Sequence, residues 1–499
     1  MSARRAERVS TLIEGVLAGL RSMPRAALIC ALIAFLNAAC WSLITPPFQD
    51  PDEPDHVAYV QSLVETGHLP VKGAPSEFTN EDIYAFNDLR QGLVRFKPQI
   101  QSISSRSEQS RLEFDLARPE LHGEAINAGL AAGEPPLYYV LETIPYQIAS
   151  AGSLLDRVQL MRLLSALMGA LAAFFSYLFV REALPGVERA WIVGGLAVAL
   201  VPLFGAISGA VNPESMLIAV SAALFYLLAR AFRRGFTTPH AIAIGLVVAV
   251  GLLTKVNFVG LLPGVLVGLL VLTRRAARVD GRAALGALAT AFAIACTPVA
   301  VYVLLNAVAG RPVLGVISEA FASQRGTLAH EISYIWQFYL PRLPGMHAYF
   351  PGVLTTRQLW FNGFVGLYGW ADTAFPGWVY TLALVPAGIL ALLCARALLA
   401  LRGDIRARAG ELVTYAGVVV GLMLLVGADS YTSETSDGTG PYYEPRYFLP
   451  LIPLLGAALA LAARGAGRRR LALAGILIVV LFLGHDAFSQ LQTIARYYG

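Results

Sequence analysis

Apolar runs dominate the chain. They fall at roughly 26–45, 161–180, 190–210, 215–232, 239–254, 258–273, 283–308, 377–401, 411–428, 447–463 and 471–488. Several approach the ~20 residues that cross a bilayer as a helix. Short polar turns separate most of them. The pattern predicts an all-α polytopic membrane protein with about eleven transmembrane helices. A shorter segment, Pro135 to Pro145, carries Glu142 and ends in proline, so it reads as a juxtamembrane helix. Val57, Val60, Leu63 and Val64 recur at helical spacing and predict another helix just after the first span.

Composition agrees: of 499 residues, 56% are hydrophobic and 14% charged, which excludes an ordinary soluble domain. Lys72, Lys97 and Lys255 are the only lysines, so the net charge of +5 is carried by arginine. It gathers in short loops: Arg4, Arg5 and Arg8; Arg181 and Arg189; Arg233 and Arg234; Arg274, Arg275 and Arg278; Arg402, Arg406 and Arg408; Arg464 and Arg468 to Arg470. With the 135–145 segment not spanning, all six groups share one side, which the positive-inside rule makes cytoplasmic. The N-terminus is then inside and the C-terminus outside. The basic charge serves orientation and calls for no nucleic acid. Residues 1–25 form a cytoplasmic N-terminus, and the first apolar run reads as a retained helix. Residues 26–308 form an N-terminal module with an outer loop at 46–160. An aromatic and glycine-rich outer loop covers 309–376, and 377–499 form a C-terminal module with an outer loop at 429–446. Cys30, Cys40, Cys296 and Cys394 lie in apolar runs as packing residues.

The unusual chemistry gathers on the outer side. Asp50, Asp52, Glu53, Asp55 and His56 fall within seven residues, where the first span meets water, and Pro51 and Pro54 stiffen the backbone around them. Such acids can cap a helix, where the dipole favours a carboxylate, or take a proton from a hydroxyl. Asp52 is the candidate base, Glu53 its support, and His56 either a group that orients them or contacts a phosphate, or an interfacial histidine. Lys255 stands between two apolar runs, either snorkelling to lipid headgroups or offering a point charge to a phosphate. Arg446 and Arg162 begin spans on the same side, as interface anchors or phosphate ligands. Glu214 in Asn212-Pro213-Glu214-Ser215 either faces the same cavity or merely starts a helix. The stretch Trp360 to Asp372, with Tyr368 and Trp370, reads as packing or as an aromatic surface for a sugar. His330, Glu331 and His347 receive no role.

Together these motifs resemble a bacterial family of multispanning membrane proteins of unknown function, itself similar to the C-type (GT-C fold) glycosyltransferases. The resemblance rests on Asp52-Glu53 with His56, Pro135-Pro136-Leu137-Tyr138-Tyr139, Asn212-Pro213-Glu214, Thr254-Lys255, Phe364 to Asp372, and Arg446 to Pro450. Glu214 stands where an aspartate is commoner, and Glu444-Pro445 where Gln-Gly is expected. The resemblance implies a GT-C-like transferase in the bacterial inner membrane, with its active site facing the periplasm. A polyprenyl-phosphate sugar would be the donor and a cell-envelope glycan or lipid-linked molecule the acceptor. Lys255, Arg446 and Arg162 would hold the donor phosphate. Asp52 would deprotonate the acceptor, inverting the anomeric centre. His56, Tyr138, Glu214, Tyr368, Trp370, Asp372 and Tyr442 would line the substrate site. Some relatives use a divalent cation such as Mg or Mn, so a metal is possible here. Two other readings remain: a transporter or flippase of a lipid-linked saccharide, and a non-catalytic subunit of an envelope-polymer assembly.

Overall fold

The structure is a computed structural model that describes residues 23–70, 77–100, 105–117, 128–186, 188–311, 327–350, 357–436 and 444–499. Each of the eleven apolar runs is helical. They form α1 (Arg25–Ile44), then, after a short helix α2 (Glu53–Gln61) and an amphipathic α3 (Leu137–Ile148), the long α4 (Leu154–Ala183). There follow α5 (Glu188–Ala199), α6 (Pro202–Ser208), α7 (Glu214–Arg234), α8 (Thr238–Thr254), α9 (Leu262–Ala276) and α10 (Gly281–Val308). The last are α11 (Gly377–Ala400), α12 (Ala409–Ser436), α13 (Ile452–Gly465) and α14 (Leu471–Tyr498). Among the described residues nine helical segments are long and apolar enough to cross a membrane by themselves. α5 and α6 together make a tenth, bent by 54° at Pro202, whose ring cannot continue a straight helix. α8 has 17 residues and is the eleventh apolar run.

The boundaries differ from the sequence reading in two informative places. α4 begins at Leu154, seven residues before its apolar run, because Ser153 and Asp156 form a reciprocal cap that extends the helix into polar sequence. α12 continues to Ser436, so Asp429 lies on a helix and not in the loop expected at 429–446. The all-α expectation holds apart from one small hairpin, Leu367–Tyr368 against Thr373–Ala374. Gly369 and Ala371 turn that hairpin with positive φ.

α4 is the central post, packed on α1, α5 and α7. α9 lies on α12 through small residues spaced by four: Gly260, Gly264 and Gly268 meet Leu422, Val418 and Thr414, with Gly417 and Gly421 opposite. That spacing lets two backbones touch, which is how helices associate where apolar burial alone gives no preference over lipid. α10 and α11 are apolar yet only 11% and 6% buried over their spanning windows, as a lipid-facing helix requires.

Polarity divides between the two ends of α4. Glu182 is ringed by Arg234 at 2.8 Å, Arg230 at 3.6 Å and Arg233 at 3.8 Å, and Arg408 donates to the Ala183 carbonyl. Arg162 lies at the other end, about 30 Å away by helix rise. The acids and cations singled out in the sequence collect at the Arg162 end.

Candidate functional site

The loop joining α1 to α2 is wound around a buried ion pair. Arg162 places Nε on one Glu53 oxygen at 2.7 Å and Nη2 on the other at 2.6 Å. Its remaining N–H groups go to the carbonyls of Ser42, Thr45 and Pro46. Each Glu53 oxygen also accepts a backbone N–H, from Phe48 at 2.8 Å and Val211 at 3.0 Å. All five donors of the guanidinium and four acceptor positions of the carboxylate are therefore filled. The clamp forces Phe48 and Asp52 to φ of 67° and 61°, a left-handed geometry that is costly for a phenylalanine. Arg162 has no donor left for a phosphate and Glu53 no lone pair free for a proton. The expected phosphate contact of Arg162 therefore has no donor in this arrangement, while Glu53, expected to support Asp52, anchors the loop that carries it.

Asp52 is the N-cap residue of α2, but its side chain caps nothing. It points to Arg446, whose Nη2 donates to Oδ2 at 2.6 Å, and it keeps 18% of its side chain exposed. Burial pushes its carboxyl up. Arg446 and, farther off, Lys255 outweigh that and hold it below the ordinary value, so it is an anion at neutral pH.

Three helix starts bring the other charges to Asp52. α8 ends at Thr254, leaving Lys255 extended before the 3-10 turn Val256–Leu261 that leads into α9. Arg446 lies in a similar turn, Pro445–Leu451, ahead of α13. Glu214 opens α7, its N–H accepted by Asn212 Oδ1 at 3.0 Å. Lys255 Nζ lies 3.2 Å from Glu214 Oε1, and Arg446 Nε lies 3.6 Å from the same oxygen. Asn212 and Arg446 both donate to the Pro51 carbonyl at 3.3 Å. The Tyr447 ring sits under both cations, 5.8 Å from Lys255 Nζ and 5.3 Å from the Arg446 guanidinium carbon. Residues 52, 214, 255 and 446 thus form one continuous charged network. Glu444, absent from the residues expected at the site, ion-pairs with Arg446 Nε. An acid two residues before a candidate phosphate ligand was the available signal.

His56 is buried one turn beyond Asp52, with Nδ1 3.0 Å from the Tyr139 hydroxyl. Burial, with Lys255 and Arg446 nearby, holds it neutral well below its ordinary pKa. Tyr138 is fully buried, its hydroxyl 2.8 Å from Ser165 Oγ, which donates to Glu142. Tyr368 packs on Trp41 and meets Ser489 Oγ at 2.8 Å. Trp370 is 4% exposed, with the Arg95 guanidinium 3.4 Å from its ring centre. Asp372 is buried near Arg496 at 3.9 Å. Neither Tyr138 nor Trp370 presents an open ring to a sugar, which corrects that expectation, and Tyr368 only edges a small cavity. Its ring is packed because the apolar neighbours that make an aromatic stretch conspicuous in sequence also bury it. Tyr442 lies outside the described residues.

That cavity, of about 40 Å³, lies beside the network, lined by Asp50, Pro51, Tyr368, Glu444 and Arg446 among others. Among the described residues no group of three or more His, Cys, Asp or Glu side chains is placed to hold a metal ion. Asp52, Glu214 and Glu444 each form an ion pair with Arg446 or Lys255.

No curated protein sequence matches the chain. Among solved structures, ArnT from Cupriavidus metallidurans bound to undecaprenyl phosphate is similar at 13% identity and a TM-score of 0.47, over 93% of this chain and 75% of that one. Residues 35–455 match the family of predicted membrane proteins known as DUF2142. The chain, an all-α polytopic membrane protein, belongs to the DUF2142 family.

Proposed function

We propose that the protein is an integral membrane glycosyltransferase of GT-C type, with a polyprenyl-phosphate sugar as donor and Asp52 as general base. One observation carries this reading. An ionised, partly exposed carboxylate and two buried cations, drawn from positions 52, 255 and 446, meet at one end of a membrane bundle. A fixed anion beside fixed cations is what transfer from a lipid phosphate needs. The acceptor O–H gives its proton to Asp52, the oxygen attacks the anomeric carbon, and the bond from that carbon to the phosphate oxygen breaks. The phosphate leaves with its added charge held by Lys255 and Arg446. Attack opposite the leaving group inverts the centre.

The guanidinium of Arg446 separates these tasks. Its Nη2 edge holds Asp52, while its Nε edge turns to Glu214 and so towards Lys255. The phosphate belongs on the second edge. Glu53 and Arg162 are positioning residues. With basic loops at the far end of α4, the site faces the periplasm, and donor and acceptor come from the outer leaflet and the envelope.

The test is transfer by purified protein in liposomes. Asp52→Asn should lower turnover by about 10²–10⁴-fold, the range of a lost general base, while the protein still folds and inserts. Movement of unmodified lipid-linked saccharide without a new glycosidic bond would mark a transporter.

A further inference from the structure

Arg446 meets a partner at each of its three nitrogens, so a phosphate on its Nε edge must displace the group already there. Its Nη1 donates to the Pro51 carbonyl, Nη2 to Asp52, and Nε faces Glu444 and, farther off, Glu214. Three of these partners are fixed. Pro51 and Asp52 belong to the loop wound on the Glu53–Arg162 clamp, and Asn212 also holds the Pro51 carbonyl. Glu214 starts α7 and is tied to Lys255. Glu444 differs: it sits on extended backbone ahead of the 3-10 turn, and 25% of its side chain is exposed. It also lines the small cavity beside Arg446.

We propose that Glu444 is a stand-in for the donor phosphate: its carboxylate occupies the Nε edge of Arg446 in the resting protein and leaves when the lipid phosphate binds. This rests on the glycosyltransferase reading and adds a residue that sets donor affinity. A carboxylate and a phosphate both offer anionic oxygens to a guanidinium, so one replaces the other without stranding a buried cation. Departure of Glu444 also enlarges the cavity on the side where the phosphate must sit.

The exchange depends on proton concentration. The charged groups facing Glu444 are Arg446, Asp52, Glu214 and Lys255, with Asp50 on the wall of the same cavity. Burial pushes Glu444 up to about 7, with Asp52 and Glu214 adding to the rise and Arg446 and Lys255 opposing it. Below that value Glu444 takes a proton and releases Arg446. Above it, the carboxylate competes with the ligand.

The experiment measures undecaprenyl phosphate binding to full-length protein in detergent, for wild type, Glu444→Gln and Glu444→Asp, at about pH 6 and about pH 8 on either side of the titration. Comparing proteins at each pH cancels the ligand's own ionisation. Glu444→Gln should bind about tenfold more tightly than wild type at the higher pH, a factor corresponding to one lost charge contact, and about equally at the lower. Glu444→Asp, which keeps the charge, should follow wild type in retaining a dependence on pH. Saturable binding with equal affinity in wild type and Glu444→Gln at both pH values overturns the exchange and leaves the glycosyltransferase reading standing. No binding by any of the proteins overturns the lipid-phosphate reading itself, and the exchange with it.

Discussion

Asp52, Arg162 and Lys255 look alike in the sequence as isolated charges near apolar runs, and the structure gives them different work. Arg162 is saturated by Glu53 and three carbonyls, so its loss should unfold and not merely slow the protein. Arg162→Met leaves Glu53 buried and unpaired and should cost about 3–5 kcal/mol in a denaturation experiment. Arg162→Lys should recover little, because an ammonium cannot span both carboxylate oxygens and three carbonyls. Lys255 bears on ligand: Lys255→Met should raise the donor KM about tenfold or more, as a lost charged contact does, with the larger effect on binding than on melting. Asp52 makes a prediction about pH. Arg446 holds the Asp52 carboxyl below the ordinary carboxylate value, so turnover should show no loss from Asp52 between pH 8 and about pH 5. By the same sign, the Asp52–Arg446 contact stabilises the protein above the unfolded carboxyl's pKa and is lost as pH falls through the depressed value. An acid limb in turnover near pH 6 would show that the base is another group. Sequence could nominate these residues, since a charge beside an apolar run is conspicuous. It could not tell Arg162 from Arg446, because that depends on which partners lie across the fold at positions 53 and 214.

At the scale of elements, the site is made of helix ends. Asp52, Glu214, Lys255 and Arg446 each stand at the start of a helix or in the 3-10 turn before one. Apolar periodicity gives the spans well, because twenty apolar residues in lipid have few alternatives to a helix. It gives their ends poorly: the Ser153–Asp156 cap adds a polar turn to α4, and α12 runs on to Ser436. The aromatic stretch shows the same limit. Tyr138 and Trp370 are found by composition, yet burial against Ser165 and Arg95 decides what they do. The contact between α9 and α12 carries Lys255 at one end, so their packing should matter for function. Gly264→Val would drive a side chain into the backbone of Val418 and part the two helices. We expect a lower melting temperature and lost donor binding from this change, whereas Gly286→Val, on open surface of α10, should be silent in both measurements.

Across the whole molecule, charge is sorted by end. The Glu182 arginine cluster and the Asp52 network sit at opposite ends of α4, separated by a distance close to the hydrocarbon thickness. If the positive-inside rule holds, a cysteine placed at Ala151, beyond α3, should react with an impermeant reagent added outside cells lacking the native cysteines. A cysteine at Gly403 should be protected until the membrane is opened. Labelling in the reverse sense would put the network in the cytoplasm and remove a periplasmic donor. The sorting makes chemistry at a membrane face economical, since one low-dielectric wall serves both the lipid and the buried cations. The most direct test of the account is transfer of radiolabelled sugar from a panel of polyprenyl-phosphate donors by the purified protein, wild type beside Asp52→Asn. The account predicts an inverted glycosidic product from wild type and none from the variant, with both proteins folded. Equal product from the two would contradict it.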